Sequence, residues 1–128
     1  MRRTGWITTF AIALVCMATS ASFAGEVIKV GLPLPLTGIH AKFGEAIRNA
    51  YLLALEEINA AGGVTKGGFK GSRIEFLIED TTSKPEVARS AVEKLITRDK
   101  VPMIVGEYSS SNVFAVAPVA DNPLCQYP

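Results

Sequence analysis

After residue 26 the chain alternates short runs rich in β-forming residues with longer runs of helical periodicity. The short runs are residues 27–33, 73–79 and 102–106. The longer runs cover residues 44–61, then a segment that opens at Ser83, then one that opens near Ser111. Strands that alternate with helices are typical of a parallel sheet, because a crossover between parallel strands needs a segment of about helix length. We therefore predict a three-layer α/β fold in the order βαβαβα, a partial Rossmann-like lobe.

The character of the strands predicts their order in the sheet. The first run is almost continuously apolar, as in a strand covered on both faces, whereas the second alternates apolar residues with Glu75 and Glu79, as at a sheet edge. Right-handed crossovers then favour the order 2-1-3. Ligands of such sheets bind beyond the carboxyl ends of the strands, where the order reverses. The loops expected there are residues 34–44 and 107–112.

Helix signals mark the three longer runs. The first is followed by Gly62-Gly63, a common helix end. In the second, Ser83 and Glu86 have the spacing of a capping box, and Pro85 lies in the first turn, where its missing N–H costs little. The predicted apolar stripes are Ile47, Ala50, Tyr51, Ala54, Leu55 and Ile58 in the first helix, and Val113, Val116, Ala117 and Ala120 in the third.

The first 24 residues are typical of a cleaved export signal. Arg2 and Arg3 precede an apolar run, residues 6–18, that is too short to span a bilayer, and small residues flank Phe23 at the expected cleavage site. We expect cleavage after Ala24 and a mature chain of residues 25–128 in the periplasm. Cys125 would then be the only cysteine, so no internal disulfide is expected.

Charge argues against a nucleic-acid partner. Loss of Arg2 and Arg3 lowers the number of basic residues from 13 to 11, against 12 acidic ones. Lys and Arg are interleaved with Glu and Asp instead of being clustered, whereas a phosphate backbone needs clustered positive charge. The charges are therefore interpreted as solvated helix faces.

A serine cluster is the strongest candidate site. Ser109, Ser110, Ser111 and Asn112 lie between a predicted strand end and a predicted helix start, where hydroxyls and free backbone N–H groups converge. Such a place suits an anion, for example a carboxylate. The alternative is that Ser110 or Ser111 merely caps the helix.

Four further residues are candidates for ligand contact, each with an ordinary structural alternative. Thr37 offers a hydroxyl and Gly38 allows a close backbone approach, but the two are also typical of a turn. Phe43 is either an aromatic wall for a ligand or a packing residue on the first helix. Glu107 either receives a ligand cation or is a solvated carboxylate at the rim.

Catalytic and metal chemistry are not indicated. His40 is the only histidine, and no second His or Cys stands at ligand spacing from it. The serine cluster also lacks the G-x-S-x-G turn of a hydrolase nucleophile. We therefore expect no metal, no cofactor and no enzyme activity.

Five phrases, in this order and spacing, resemble a known family across residues 26–121. They are Ile28-Lys29-Val30-Gly31, Pro35-Leu36-Thr37-Gly38, the stretch 54–64, Glu79-Asp80, and the stretch 104–110. The chain thereby resembles the branched-chain amino-acid-binding family of ABC transporter solute-binding proteins, which have the type I periplasmic-binding fold. The resemblance implies that Ser110, flanked by Ser109 and Ser111, binds the carboxylate of a small solute, and that Phe43 lines the cleft. It also implies an inner-membrane permease as partner.

The same resemblance weakens after residue 121. Family members continue into a fourth strand and a second lobe, and residues 122–128 depart from that pattern. We therefore expect the chain to be the N-terminal part of the first lobe. Two alternatives remain open: a flavodoxin-like or nucleotide-handling exported enzyme, in which the serines would hold a phosphate, and the ligand-sensing lobe of a receptor.

Overall fold

The computed structural model describes residues 25–121, in which three strands alternate with three helices. The signal segment and Cys125 lie outside these residues. The elements are β1 (Val27–Leu34), α1 (Ala41–Ala60), β2 (Arg73–Asp80), α2 (Pro85–Thr97), β3 (Met103–Ile104) and α3 (Ser110–Ala120). The sheet is parallel, with the order β2-β1-β3. The predicted fold class and strand order are confirmed.

Strand β1 is the centre of the sheet, and it is buried from Val30 to Leu34. It pairs with β2 from Val27 opposite Arg73 to Leu34 opposite Asp80. Its pairing with β3 is short: Val30 pairs with Met103 and Gly31 with Ile104, but Pro33 of β1 has no N–H to continue the ladder, and Gly106, at φ 119°, leaves the β region. This explains why β3 is shorter than predicted.

The helices cover opposite faces of the sheet. On one face, Tyr51 of α1 packs edge-on against Phe76 of β2, with ring centroids 5.7 Å apart. On the other, a Cβ at Gly31 of β1 would lie only 3.0 Å from the Leu95 side chain of α2, so a small residue allows the helix to approach. Helix α3 packs on α2 in a buried cluster of Ala88, Val92, Ile96 and Val116.

Helix α1 begins at Ala41, three residues earlier than expected, and its buried face is only partly as predicted. Gly44 lies inside the helix and touches the Pro35 carbonyl, since a Cβ there would come within 2.1 Å of that oxygen. Gly44 is therefore a packing residue and not a loop end. Ile47, Tyr51 and Leu55 are half-buried, whereas the other three residues of the predicted stripe, Ala50, Ala54 and Ile58, are exposed.

The predicted capping box at Ser83 is wrong. Helix α2 begins at Pro85, its N-cap position is Lys84, and no side chain caps it. The Ser83 hydroxyl instead donates to the Thr37 carbonyl at 2.7 Å and accepts from the His40 N–H at 3.1 Å. Hydrogen bonds to a neighbouring loop have replaced the local helix cap.

The predicted face of α3 is also partly wrong. Val113 is 43% exposed and Ala117 is exposed, whereas Asn112 and Val116 are buried. The helix is rotated relative to the apolar pattern because the Asn112 side chain turns inward to a polar partner.

Candidate functional site

Ser109 is the residue that caps α3. Its hydroxyl accepts the Asn112 N–H at 3.3 Å and lies 3.0 Å from the Ser111 hydroxyl. The alternative in which Ser110 or Ser111 merely caps the helix is therefore wrong, because the cap is Ser109. Ser110 is left as the first residue of the helix, with its hydroxyl available.

The start of α3 carries unused hydrogen-bond donors. Ser110 is exposed, and its hydroxyl has no partner within residues 25–121. The N–H groups of Ser110 and Ser111 are likewise unpaired within that range, as is usual in the first turn of a helix. Because the partial positive charge of the helix is concentrated there, this turn suits a carboxylate.

Glu107 stabilises this turn through hydrogen bonds of its side chain and its backbone. Its Oε1 accepts the Tyr108 N–H at 3.0 Å and the Asn112 side-chain amide at 3.2 Å, and Asn112 is fully buried. The Glu107 backbone has φ 72°, an uncommon value for a residue other than glycine, and its N–H donates to the Pro33 carbonyl at 3.0 Å. The Glu107 carboxylate therefore faces protein groups, and neither of the two alternatives considered from the sequence, a contact for a ligand cation or a solvated rim carboxylate, describes this contact.

Two aromatic rings connect the start of α1 with the loop that follows β3. Tyr108 stacks on Phe43 with ring centroids 4.8 Å apart and planes 9° from parallel. The rings are 42% and 51% exposed, respectively, so they form a partly open apolar surface beside Ser109. His40 meets Tyr108 edge-on at 5.4 Å. The two loops predicted to meet at the carboxyl ends of the strands do so.

Tyr108 was missing from the residues predicted for the site. The available signal was its position, an aromatic side chain directly before the serine cluster in a loop already expected to face the ligand. We call Phe43 and Tyr108 the aromatic pair.

Thr37 and Gly38 face a different loop from the serines. The Thr37 hydroxyl donates to Asp80 Oδ2 at 2.7 Å, and its N–H donates to Asp80 Oδ1 at 3.1 Å. Gly38 has φ 85°, and a Cβ there would lie 2.6 Å from the Thr82 carbonyl oxygen. This turn is therefore bound to the loop after β2, and its link to the serines runs through His40 and the aromatic pair.

Hydrogen bonding lowers the pKa of Asp80. Partial burial acts to raise the pKa of Asp80, but the Thr37 hydroxyl and the N–H groups of Thr82, Thr37 and Leu36 together hold it below its ordinary value. The side chain is therefore a carboxylate at neutral pH and accepts all of these donors.

A hollow of about 480 Å³ lies at the other end of the sheet, between the end of α1 and the start of β2. It is lined mainly by apolar groups, among them Ile58, Val64 and Ile74. It lacks the convergent polar groups that orient a small polar ligand, and these are found at the serines.

Among residues 25–121, no helix combines the length and the apolar character needed to cross a bilayer. Within the same range, no three His, Cys, Asp or Glu side chains are grouped so that they could hold a metal ion.

Comparison with known proteins gives consistent matches. The model of a family described as periplasmic binding protein matches residues 27–123. The leucine-, isoleucine-, valine-, threonine- and alanine-binding protein of Pseudomonas aeruginosa is 35% identical over 103 residues, which are 80% of this chain and 26% of that protein.

Solved structures agree with this match. The branched-chain amino acid transporter substrate-binding protein LivJ from Streptococcus pneumoniae, in complex with isoleucine, is similar with a TM-score of 0.68 and 34% identity, over 74% of this chain and 26% of that one. An ABC transporter solute-binding protein from Rhodopseudomonas palustris, in complex with 3,4-dihydroxybenzoic acid, has a TM-score of 0.64 and 32% identity, over 73% and 24%.

The chain spans about a quarter of the length of these relatives. The matched region nevertheless includes every strand and helix described above and both loops of the candidate site. The chain therefore belongs to the periplasmic binding protein family, whose members bind solutes outside the cytoplasm.

Proposed function

We propose that this chain supplies the carboxylate-binding part of the first lobe of an amino-acid-binding protein that serves an ABC importer. The observation that carries the proposal is the Ser110 hydroxyl and the N–H groups of Ser110 and Ser111, which have no partner within residues 25–121 and lie next to the aromatic pair. An amino acid matches this arrangement, because its carboxylate would accept hydrogen bonds at the helix start and its side chain would pack on the rings.

The helix start alone gives a modest gain. A carboxylate there is stabilised by about 0.3–1 kcal/mol through the helix dipole. Each charge-assisted hydrogen bond, for example from Ser110, adds about 1.5–3 kcal/mol before the loss of ligand freedom is subtracted. Hydrogen bonds therefore contribute more of the affinity than the dipole does.

The ligands of the relatives share the group that this turn would bind. Isoleucine and 3,4-dihydroxybenzoic acid both carry a carboxyl group, although the rest of each molecule differs. The proposal therefore assigns the carboxylate to the serines and leaves side-chain selection to other contacts. Branched-chain amino acids are the first ligands to test, because the Pseudomonas relative is named for them.

The wider role follows from the same family. We propose that residues 1–24 direct export and are removed, that residues 25–128 are the N-terminal part of the first lobe, and that the complete protein delivers its ligand to a membrane permease. The site would bind without catalysis, because it offers donors for a carboxylate but no nucleophile with an adjacent base.

An NMR titration tests the proposed contact. We expect millimolar leucine to shift the amide resonances of Ser110 and Ser111, because their N–H groups would donate to the carboxylate. Leucinamide, which lacks the carboxylate, should leave them unchanged. Equal shifts with the two compounds, or none with leucine, would contradict the proposal.

A matched pair of variants locates the effect. Ser110→Ala should abolish the leucine-dependent shifts, whereas Ser90→Ala should retain them, because the exposed Ser90 hydroxyl only bonds the Glu86 carbonyl on α2. A larger response to inorganic phosphate than to leucine would instead favour the phosphate-handling alternative.

A further inference from the structure

One carboxylate ties two loops of the site together. Asp80, the last residue of β2, accepts the N–H of Leu36 at 2.9 Å, the N–H and hydroxyl of Thr37 at 3.1 and 2.7 Å, and the N–H of Thr82 at 2.8 Å. Three of these four donors belong to the loop after β1. Hydrogen bonds to an ionised acceptor are stronger than those between neutral groups.

Ser83 adds a second connection between the same two loops. Its hydroxyl donates to the Thr37 carbonyl and accepts the His40 N–H, as described above. Thr82 and Ser83 have φ values of 49° and 59°, in the left-handed region that residues other than glycine rarely adopt. A local conformation of this kind persists only when its surroundings hold it in place.

The bound segment leads directly to the aromatic pair. His40 immediately precedes α1, Phe43 lies in its first turn, and both rings contact Tyr108. Gly44 fits against the Pro35 carbonyl, so the start of α1 is packed on the segment that Asp80 binds. Tyr108, in contrast, is held from the β3 side through Glu107.

We infer that Asp80 is a positioning residue for the ligand cleft: it fixes the loop after β1 so that Phe43 and His40 lie against Tyr108. The claim that this arrangement matters for a ligand rests on the proposed function. The claim that Asp80 fixes the loop does not, because it concerns contacts within the protein. Among residues 25–121, no hydrogen bond joins Asp80 to residues 109–111 or to the aromatic pair, so its effect passes through the loop.

The single histidine reports on this geometry. In NMR spectra of the full chain at one fixed pH, we expect the His40 ring resonances to carry a ring-current shift from Tyr108, whose ring lies edge-on to the His40 ring. We expect Asp80→Ala to move them toward their values in the unfolded chain. Asp80→Asn, which keeps one oxygen for the backbone N–H groups, should produce a smaller movement.

Asn59→Ala is the matched control. The Asn59 side chain also makes two hydrogen bonds to β2, both with the Ile74 backbone at 2.9 Å, but at the opposite end of the strand. We expect this variant to lower stability and to leave the His40 ring resonances unchanged. An equal change in the Asp80 and Asn59 variants would mean that the His40 shift reports general loosening, and would overturn the inference.

Ser83→Ala keeps the inference testable if Asp80→Ala does not fold. It removes the second connection while Asp80 remains, so the His40 ring should move in the same direction as in Asp80→Asn. An unmoved His40 ring in Ser83→Ala and Asp80→Asn would overturn the inference. Because no ligand is added, a failure of leucine to bind would count against the proposed function and leave this result intact.

Discussion

At the scale of single residues, the carboxyl ends of the strands are organised by a few polar side chains with backbone partners. Asp80 binds the loop after β1, Ser109 caps α3, and Glu107 holds the turn between β3 and α3. Each satisfies N–H groups that would otherwise lack a partner, which is the usual requirement for ordered loops. The positions of the aromatic rings depend on these bonds.

The lowered pKa of Asp80 predicts a pH-dependent stability. A carboxyl group whose pKa is lower in the folded chain than the ordinary 3.8 stabilises the fold fully above the unfolded value. This contribution disappears as the pH falls from about 4 through the folded pKa. We expect Asp80→Asn to have a flatter decline of the free energy of unfolding over that range than the unsubstituted chain has.

Urea unfolding at a series of pH values measures this difference. Parallel declines in the two proteins below about pH 4 would show that Asp80 does not contribute.

At the scale of elements, the sequence correctly predicted the alternation of strands and helices and the strand order. It predicted the contacts of individual side chains less well. The order β2-β1-β3 followed from the continuous apolar character of β1 and the alternation in β2, because burial on two faces or one face is a property of the whole strand. The capping box failed because the Ser83 hydroxyl bonds another loop, and the face of α3 was misjudged because Asn112 turns inward to Glu107. The bonds of Ser83 depend on residues distant in sequence, and that of Asn112 depends on a loop residue outside the helix.

The same limit applies to the site. The serines and Phe43 could be predicted from their places at a strand end and a helix start. Their connection through Tyr108, and the role of Asp80 in holding Thr37, required the packed structure. From the sequence, Asp80 stood out only as part of the Glu79-Asp80 phrase of the family resemblance.

The contact between β1 and α2 gives a stability prediction at this scale. Leu95 is fully buried and lies against Gly31, so Leu95→Ala should lower the free energy of unfolding by about 3 kcal/mol through lost burial and a cavity. Leu53→Ala is the control, because Leu53 lies on the exposed side of α1 and should change stability by less than about 0.5 kcal/mol. Equal losses in urea unfolding would contradict the assignment of the core.

At the scale of the whole molecule, the chain corresponds to about a quarter of its relatives, and the candidate site is partly open to solvent. Micromolar affinity requires about 8 kcal/mol of net binding free energy. The donors at α3 and the aromatic pair must also compensate for the lost freedom of the ligand. We therefore expect this chain alone to bind weakly.

Isothermal titration with leucine, valine and glutamate measures this affinity. We expect no dissociation constant below about 10 μM for any of them. A tighter value would show that the contacts of this chain are sufficient without further protein.

The stacking of Phe43 on Tyr108 also has a consequence for the order of folding. Because the two rings belong to segments far apart along the chain, bringing them into contact costs loop-closure entropy. The pairing of β3 with β1 must offset this cost first. We therefore expect the aromatic pair to form late, after the three strands have assembled. A solute that binds it would select the assembled sheet and raise the melting temperature by mass action.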